Sequence, residues 1–168
     1  MENIIQLNPS LGKIEYKAGD SSDFFEISES ELCVEKINGQ SLLYISAIAS
    51  HHEIHGEHKV YIPDLSFSLI MPLEKNELAN KSVIKFPEAD TNHQDWEKYV
   101  YSSFYQFEHL LILNCSFQIE RKNGLYNIIV KGEVRRGIES NYGYQFDAEF
   151  HAELKNKIDR NKYFFLAE

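Results

Sequence analysis

Segment 142–154 alternates apolar and polar residues without a break, and this pattern constrains the fold more than any other in the chain. Successive side chains of a β-strand point to opposite faces, so a period of two predicts a strand with one buried and one hydrated face. The predicted buried face consists of Tyr142, Tyr144, Phe146, Ala148, Phe150, Ala152 and Leu154. The hydrated face consists of Gly143, Gln145, Asp147, Glu149, His151 and Glu153. The segment therefore predicts a half-buried sheet with an acidic outer surface.

Turn signals divide most of the remaining chain into short strands. Asn38-Gly39 and Lys122-Asn123-Gly124 each lie between two strand-like runs, and Asn-Gly tolerates the positive φ angles of tight hairpins. A further turn at Ala18-Gly19-Asp20 separates short strands at 14–16 and 24–27, and segment 158–166 predicts a final edge strand. Because strands joined by short turns tend to pair, residues 1–168 are expected to form one all-β domain. We predict an antiparallel sandwich or barrel of about eight to ten strands with little helix.

Segment 96–120 fits two interpretations. As a helix, positions 96, 100, 104, 107 and 111 would share an apolar stripe, which leaves a helix over residues 93–110 as an alternative. As a strand, the odd positions from 99 to 119 form one period-two series, which favours one long bent strand or two collinear strands. The aromatic residues of this segment would then pack in the core or line a ligand cavity. They include Tyr99, Tyr101, Phe104, Tyr105 and Phe107.

Composition narrows the class of protein. Apolar residues make up 43% of the 168 residues, and ten Tyr, eleven Phe and one Trp are typical of a globular chain rather than a disordered one. The first twelve residues do not resemble a signal peptide, and two cysteines are few for a secreted domain, so we expect a cytoplasmic protein with reduced cysteines. A formal net charge of -9 argues against binding to nucleic acid or to an anionic membrane.

The acidic charge is concentrated in segment 20–35, which contains no base. Its carboxylates are Asp20, Asp23, Glu26, Glu29, Glu31 and Glu35. Phe24 and other apolar residues alternate with them, and apolar anchors inside a charged rim are typical of a protein-docking surface. The leading hypothesis is therefore a non-catalytic acidic binding or inhibitory module with a basic protein partner. An immunity-type protein that neutralises a basic toxin or nuclease would fit this description.

The hydrated face of segment 142–154 supports an alternative from another class. Asp147, Glu149, His151 and Glu153 could supply a general acid and base to a small-ligand or carbohydrate-binding barrel, a hydrolase-like enzyme included. That hypothesis requires these side chains and several aromatic rings to share one cavity. The simpler interpretation is a solvated strand face whose acids pair across the sheet with basic residues, among them Arg121, Lys131 and Arg135.

Four histidines in segment 51–58 provide a weak metal candidate. In an extended chain His51, Glu53 and His55 would share a face, but the spacing departs by one residue from the helical His-Glu-x-x-His motif. Gly56 between strand-like runs indicates a hairpin loop instead, so we expect no metal and no cofactor. Nucleophile-elbow, phosphate-loop and dinucleotide motifs are absent, which disfavours an enzyme without excluding one. Strand edges such as segment 163–166 leave a homodimer open.

Overall fold

The computed structural model describes residues 10–55, 58–75, 77–86, 94–95, 100–106, 108–136 and 143–159, and these contain β-strands but no helix. The predicted all-β class is thereby confirmed. The strands are β1 Gly12–Ala18, β2 Ser21–Ile37, β3 Gln40–His55, β4 His58–Pro72, β5 Lys81–Lys85, β6 Gln94–Asp95, β7 Val100–Gln106, β8 Glu108–Lys122, β9 Leu125–Arg135, β10 Gly143–Ala152 and β11 Leu154–Lys155.

Eight of these strands close into an antiparallel barrel. Their order is β8-β9-β10-β1-β2-β3-β4-β7, and β7 pairs with β8 to complete the ring. Three short strands join this ring: β5 pairs with β8, β6 pairs with β7, and β11 pairs in parallel with β2. Of the two predicted architectures, the barrel is therefore correct. Neighbours in the chain are mostly neighbours in the sheet, as short turns require.

Aromatic side chains fill the barrel interior. The ring centroid of Phe104 lies 5.0 Å from that of Phe146 and 6.0 Å from that of Tyr16, while Phe67 packs against Phe146 and Phe150 at 5.7 and 6.0 Å. An eight-stranded barrel is just wide enough for its side chains to meet at the centre. The predicted buried face of segment 142–154 supplies several of these contacts. Its alternation is confirmed over β10, with Phe146, Ala148, Phe150 and Ala152 buried, but the prediction is wrong for Leu154, which is 42% exposed beyond the end of β10, and Tyr142 lies outside the described residues.

A second apolar cluster lies on the outside of the barrel. Because Leu43 and Ile45 face the interior, Leu42 and Tyr44 face outward, where they pack with residues of β2 and β4 and with Ile158. Ile158 is only 1% exposed, and its backbone N–H donates a 2.7 Å hydrogen bond to Oε2 of Glu35. Segment 154–158, which begins with β11, is thus attached to the outer surface of β2. We refer to it as the C-terminal strap.

Two bulges adjust which residues face inward. In β2 the register shifts between Ile27 and Glu29, so Phe25 and Ile27 face the interior before the shift and Leu32 faces it afterwards. The predicted strand at 24–27 is therefore the first part of one 17-residue strand. In β8 the register shifts between Leu113 and Ser116, around Asn114, whose φ is 48°. The inward-facing side chains are even-numbered before this shift and odd-numbered after it. Each bulge keeps the apolar residues on the core side.

Segment 96–120 differs from both sequence interpretations. Its described residues are strand rather than helix, and β7 and β8 form an antiparallel hairpin with Gln106 opposite Glu108, not collinear strands. The odd-numbered face is also divided, because Tyr101 and Tyr105 face outward whereas Cys115 and the following odd residues are buried. The period-two pattern of the sequence predicted the wrong strand arrangement because it continues across the β7–β8 connection and across the bulge in β8. The last strand of the described residues is Leu154–Lys155, and residues 160–166 of the predicted segment 158–166 lie outside the described part.

Candidate protein-binding surface

Phe24 stands on the outer face of β2 with 60% of its surface exposed. The orientation follows from the core, because buried Phe25 and Ile27 force Phe24 and Glu26 outward. Together with their acidic neighbours these residues form what we call the Phe24 surface. It consists of Glu15, Asp20, Phe24, Glu26 and Glu29, whereas Asp23 lies opposite inward-facing Tyr16 and therefore belongs to the other face of the hairpin. In the described structure Asp20, Asp23 and Glu29 are exposed and make no ion pair.

Glu15 belongs to this surface although the acid run does not include it. The β1–β2 hairpin places Glu15 directly opposite Phe24 and Lys13 directly opposite Glu26. A signal for this contact was present in the sequence, because a two-residue turn at Gly19-Asp20 fixes the register of the whole hairpin. Lys13 adds a cation to the surface, with Nζ 6.0 Å from the centroid of the Phe24 ring.

Glu31 and Glu35 have a different role from the one predicted. The Lys155 ammonium lies 3.7 Å from Oε1 of Glu31, and Glu35 accepts the hydrogen bond from Ile158 N–H. These two carboxylates therefore hold the C-terminal strap. The structure places Phe24, Glu26 and Glu29 on the outer face of the first half of β2 and Asp20 in the adjoining turn, whereas Asp23 lies on the other face and Glu31 and Glu35 contact the strap.

The acids of segment 142–154 lie on the outer face of β10, as the alternation predicted. Nζ of Lys17 on β1 lies 3.2 Å from Oδ2 of Asp147 and 3.5 Å from Oε2 of Glu15. The hydrogen bond and charge of Asp147, followed by the charge of Glu15, raise the pKa of Lys17. Glu149 accepts a 3.4 Å hydrogen bond from Asn127, His151 is exposed, and Glu153 follows the strand as an exposed residue. Lys17, which the sequence did not single out, is thus the ion-pair partner of Asp147.

Arg135 pairs with Glu133 rather than with an acid of β10. The guanidinium contacts Oε1 of Glu133 at 2.5–2.7 Å, while Asn114 donates a hydrogen bond to Oε2. The hydrogen bond from Arg135 is the main reason why the pKa of Glu133 is lowered, against the smaller opposing effect of burial. Lys131, in contrast, does lie opposite Asp147 in the sheet register. Cross-strand charge pairing on this face is real, but its partners differ from those expected.

The predicted combination of aromatic rings and acids in one cavity does not occur. Phe146 and Phe150 point into the barrel, whereas Asp147, Glu149 and His151 alternate with them and point outward. The aromatic set of segment 96–120 is also divided. Phe104 is interior, Tyr101 packs against the outer cluster, Tyr105 is 41% exposed, and Tyr99 and Phe107 lie outside the described residues.

Polar groups meet aromatic rings at one end of the barrel instead. Tyr16 and Tyr144 stack with centroids 5.2 Å apart, and nearby Arg136 at the end of β9 pairs with Glu108 at the start of β8 through a 2.8 Å contact. The pKa of Tyr16 is raised to about 12, mainly by burial and then by the charges of Tyr144 and Glu108. The charge of Arg136 opposes this shift. The phenol of Tyr16 is therefore a neutral hydrogen-bonding group over the physiological range.

The weak metal candidate rests on backbone that forms a hairpin. His55 lies opposite His58 at the end of the β3–β4 ladder, as the loop interpretation of Gly56 implied. The side chains of His51, Glu53 and His55 lie outside the described part. Elsewhere in the described residues, no three His, Cys, Asp or Glu side chains are grouped to hold a metal ion. That same part of the chain contains no helix able to cross a membrane.

Comparison with the models of known protein families found no match. Searches of curated proteins and of solved structures likewise found no significant similarity. The geometry and charge of the described surfaces are therefore the basis for a functional proposal.

Proposed function

We propose that this protein is a non-catalytic acidic binding module that docks on a basic protein and inhibits it, in the manner of an immunity protein that neutralises a basic toxin or nuclease. One observation carries the proposal: Phe24 is 60% exposed on a strand face and is surrounded by carboxylates. A partner that covers the Phe24 ring would gain hydrophobic free energy, and aromatic anchors supply much of the free energy of protein–protein binding.

Electrostatics favours a basic partner. The chain carries a formal net charge of -9, and the Phe24 surface adds a local concentration of carboxylates next to the anchor. Complementary charge of this kind accelerates encounter and orients the partner, up to association rate constants on the order of 10⁸ M⁻¹s⁻¹ at low salt. Association should therefore slow steeply as the salt concentration rises.

The contact area is predicted to centre on the β1–β2 hairpin. Glu31 and Glu35 already contact Lys155 and the Ile158 N–H, so we expect the partner to bind the other end of β2. There the exposed turn at Gly19-Asp20 and the outer residues of β1 and β2 form a continuous surface.

The test measures inhibition of a purified basic nuclease or toxin encoded beside this protein. A Phe24→Ala/Glu26→Gln/Glu29→Gln variant is compared with a Val83→Ala/Glu74→Gln/Glu77→Gln control, which removes the same charge and an exposed apolar side chain elsewhere. We expect the first variant to weaken inhibition by about 30-fold or more and the control by less than about threefold. Equal losses in both variants, or association that is indifferent to salt, would contradict the proposal.

A small-ligand or carbohydrate-binding barrel is the second candidate. It is favoured by the Tyr16–Tyr144 stack at the polar end of the closed barrel, since ligand sites occur preferentially in the mouths of β-barrels. Titration with the dye anilinonaphthalene sulfonate tests it. One saturable site that is weakened in Tyr144→Ala but not in Tyr105→Ala would support this function. Absence of saturable binding to the native protein would eliminate it.

A further inference from the structure

We infer that the partner anchors on the Phe24 surface through an arginine, whose guanidinium stacks on the Phe24 ring where the Lys13 ammonium lies in the free protein. This inference rests on the proposed function and specifies the chemistry of the partner. Its starting point is the position of Lys13, with Nζ 6.0 Å from the ring centroid. The face of an aromatic ring attracts cations, so Lys13 shows that the exposed ring already attracts a cation of its own chain.

Lys13 can leave the ring easily. It lies on β1 between Glu26 of β2 and Glu149 of β10, directly opposite each in the sheet register. Its side chain is exposed and flexible, so its ammonium can move to either neighbouring carboxylate when another cation covers the ring. Displacing Lys13 therefore leaves no buried or isolated charge.

Arginine suits the vacated position better than lysine. A guanidinium is planar and stacks flat on an aromatic face, while its N–H groups stay free at the edge to bind carboxylates. Glu15 lies directly opposite Phe24, and Glu26 lies two residues further along the same face of β2. An arginine on the ring can thus bind ring and carboxylate together, whereas a lysine ammonium satisfies one of them at a time.

The test uses two peptides of equal length and charge, nona-arginine and nona-lysine, with binding measured by fluorescence anisotropy at low salt. The diagnostic quantity is the ratio of their dissociation constants, because equal charge cancels the general electrostatic attraction. Phe24→Leu removes the aromatic face, Lys13→Met removes the competing cation, and Tyr105→Leu removes an exposed aromatic residue elsewhere as the matched control. Circular dichroism verifies that each variant is folded.

We expect Phe24→Leu to reduce the preference for arginine by about fivefold, Lys13→Met to increase it by about twofold, and Tyr105→Leu to leave it unchanged. An arginine preference that survives Phe24→Leu, or falls equally in Tyr105→Leu, would overturn the inference. The proposed function is tested separately with Glu26→Gln/Glu29→Gln. Loss of affinity for both peptides supports the acidic surface even if the arginine preference fails, whereas no loss for either peptide counts against the proposed function itself.

Discussion

Gly132 and Phe146 show how tightly single residues fit in the barrel interior. A Cβ atom on Gly132 would lie 2.6 Å from Cε1 of Phe146, and that ring cannot withdraw because Phe67 and Phe104 pack against it. In an unconstrained strand, alanine is more stable than glycine by about 0.5–1 kcal/mol. Here we predict the opposite sign. Gly132→Ala should lower the free energy of unfolding by about 1–3 kcal/mol through overpacking.

Urea denaturation measures this effect, and Gly143→Ala provides its control. A Cβ at Gly143 meets the end of the Glu133 side chain, which can move, so its effect should stay within about 0.5 kcal/mol. A Gly132→Ala protein as stable as the native one would show that Phe146 has more room than the structure indicates.

Cys115 provides a second test at the residue scale. The side chain is 1% exposed, and burial raises the pKa of its thiol to about 12. Since the thiolate is the reacting species, iodoacetamide at about pH 8 should leave Cys115 unmodified in the native protein and label it quickly in urea. Peptide mapping by mass spectrometry separates Cys115 from Cys33, the other buried cysteine. Rapid native labelling of Cys115 would contradict its placement in the core.

At the scale of the strand, the sequence predicted the hairpin turns and the two faces of β10, because both depend only on neighbouring residues. The turns at Asn38-Gly39 and Asn123-Gly124 have φ angles of 50° and 83°, and 52° and 83°, so each hairpin forms where residues that tolerate positive φ interrupt an apolar pattern. The alternation over β10 likewise predicted its two faces, because the period of two is a property of the strand itself.

Long-range pairing could not be predicted in the same way. The bulges in β2 and β8 change whether odd-numbered or even-numbered residues are buried. Only Asn114, an asparagine at positive φ, indicates one of these bulges in the local sequence. Glu35 was assigned to the docking surface because its partner, Ile158, is 123 residues away in the sequence. Phe24 is exposed because it alternates with buried Phe25, whereas Glu29 has the parity of buried Ile27 and faces outward only because of the bulge between them.

The C-terminal strap is an element whose contribution can be measured. Ile158 is its buried residue and completes the outer apolar cluster with Leu42, Tyr44 and Ile70. The substitution Ile158→Ala leaves a cavity, so the free energy of unfolding should fall by about 2–4 kcal/mol. Leu154→Ala, in the exposed part of the strap, should cost less than about 1 kcal/mol. Equal effects of the two substitutions would indicate that the strap is not anchored by Ile158.

At the scale of the whole molecule, closure of the barrel separates the chemistry of its two surfaces. Aromatic rings meet inside, whereas the carboxylates of β1, β2 and β10 are distributed over the outside. This separation explains why charge and alternation identify exposed acids of β2 in the sequence, while the ligand-cavity alternative could not be judged from the sequence. The alternation already assigns Phe146 and Asp147 to opposite faces, but only the closed ring of strands shows that the aromatic face fills the barrel interior.

The buried phenol of Tyr16 makes the stability of the whole barrel depend on alkaline pH. Its pKa is raised to about 12 in the folded state, against about 10 for an unperturbed tyrosine, chiefly because burial disfavours the phenolate. Between these two values the unfolded chain has lost a proton that the native protein retains. The contribution of Tyr16 is therefore fully present below pH 10 and is lost as the pH rises toward 12.

Tyr16→Phe should remove this component of the pH dependence, because phenylalanine has no proton to lose. Urea denaturation from about pH 9 to pH 12 should show a native protein whose stability falls more steeply than that of the variant, the difference reaching on the order of 2 kcal/mol. Tyr105→Phe, on the outer face, provides the control for a tyrosine removed elsewhere. Parallel pH profiles for the native protein and Tyr16→Phe would contradict the prediction, because they would place the phenol in contact with water at the barrel end rather than against Phe104.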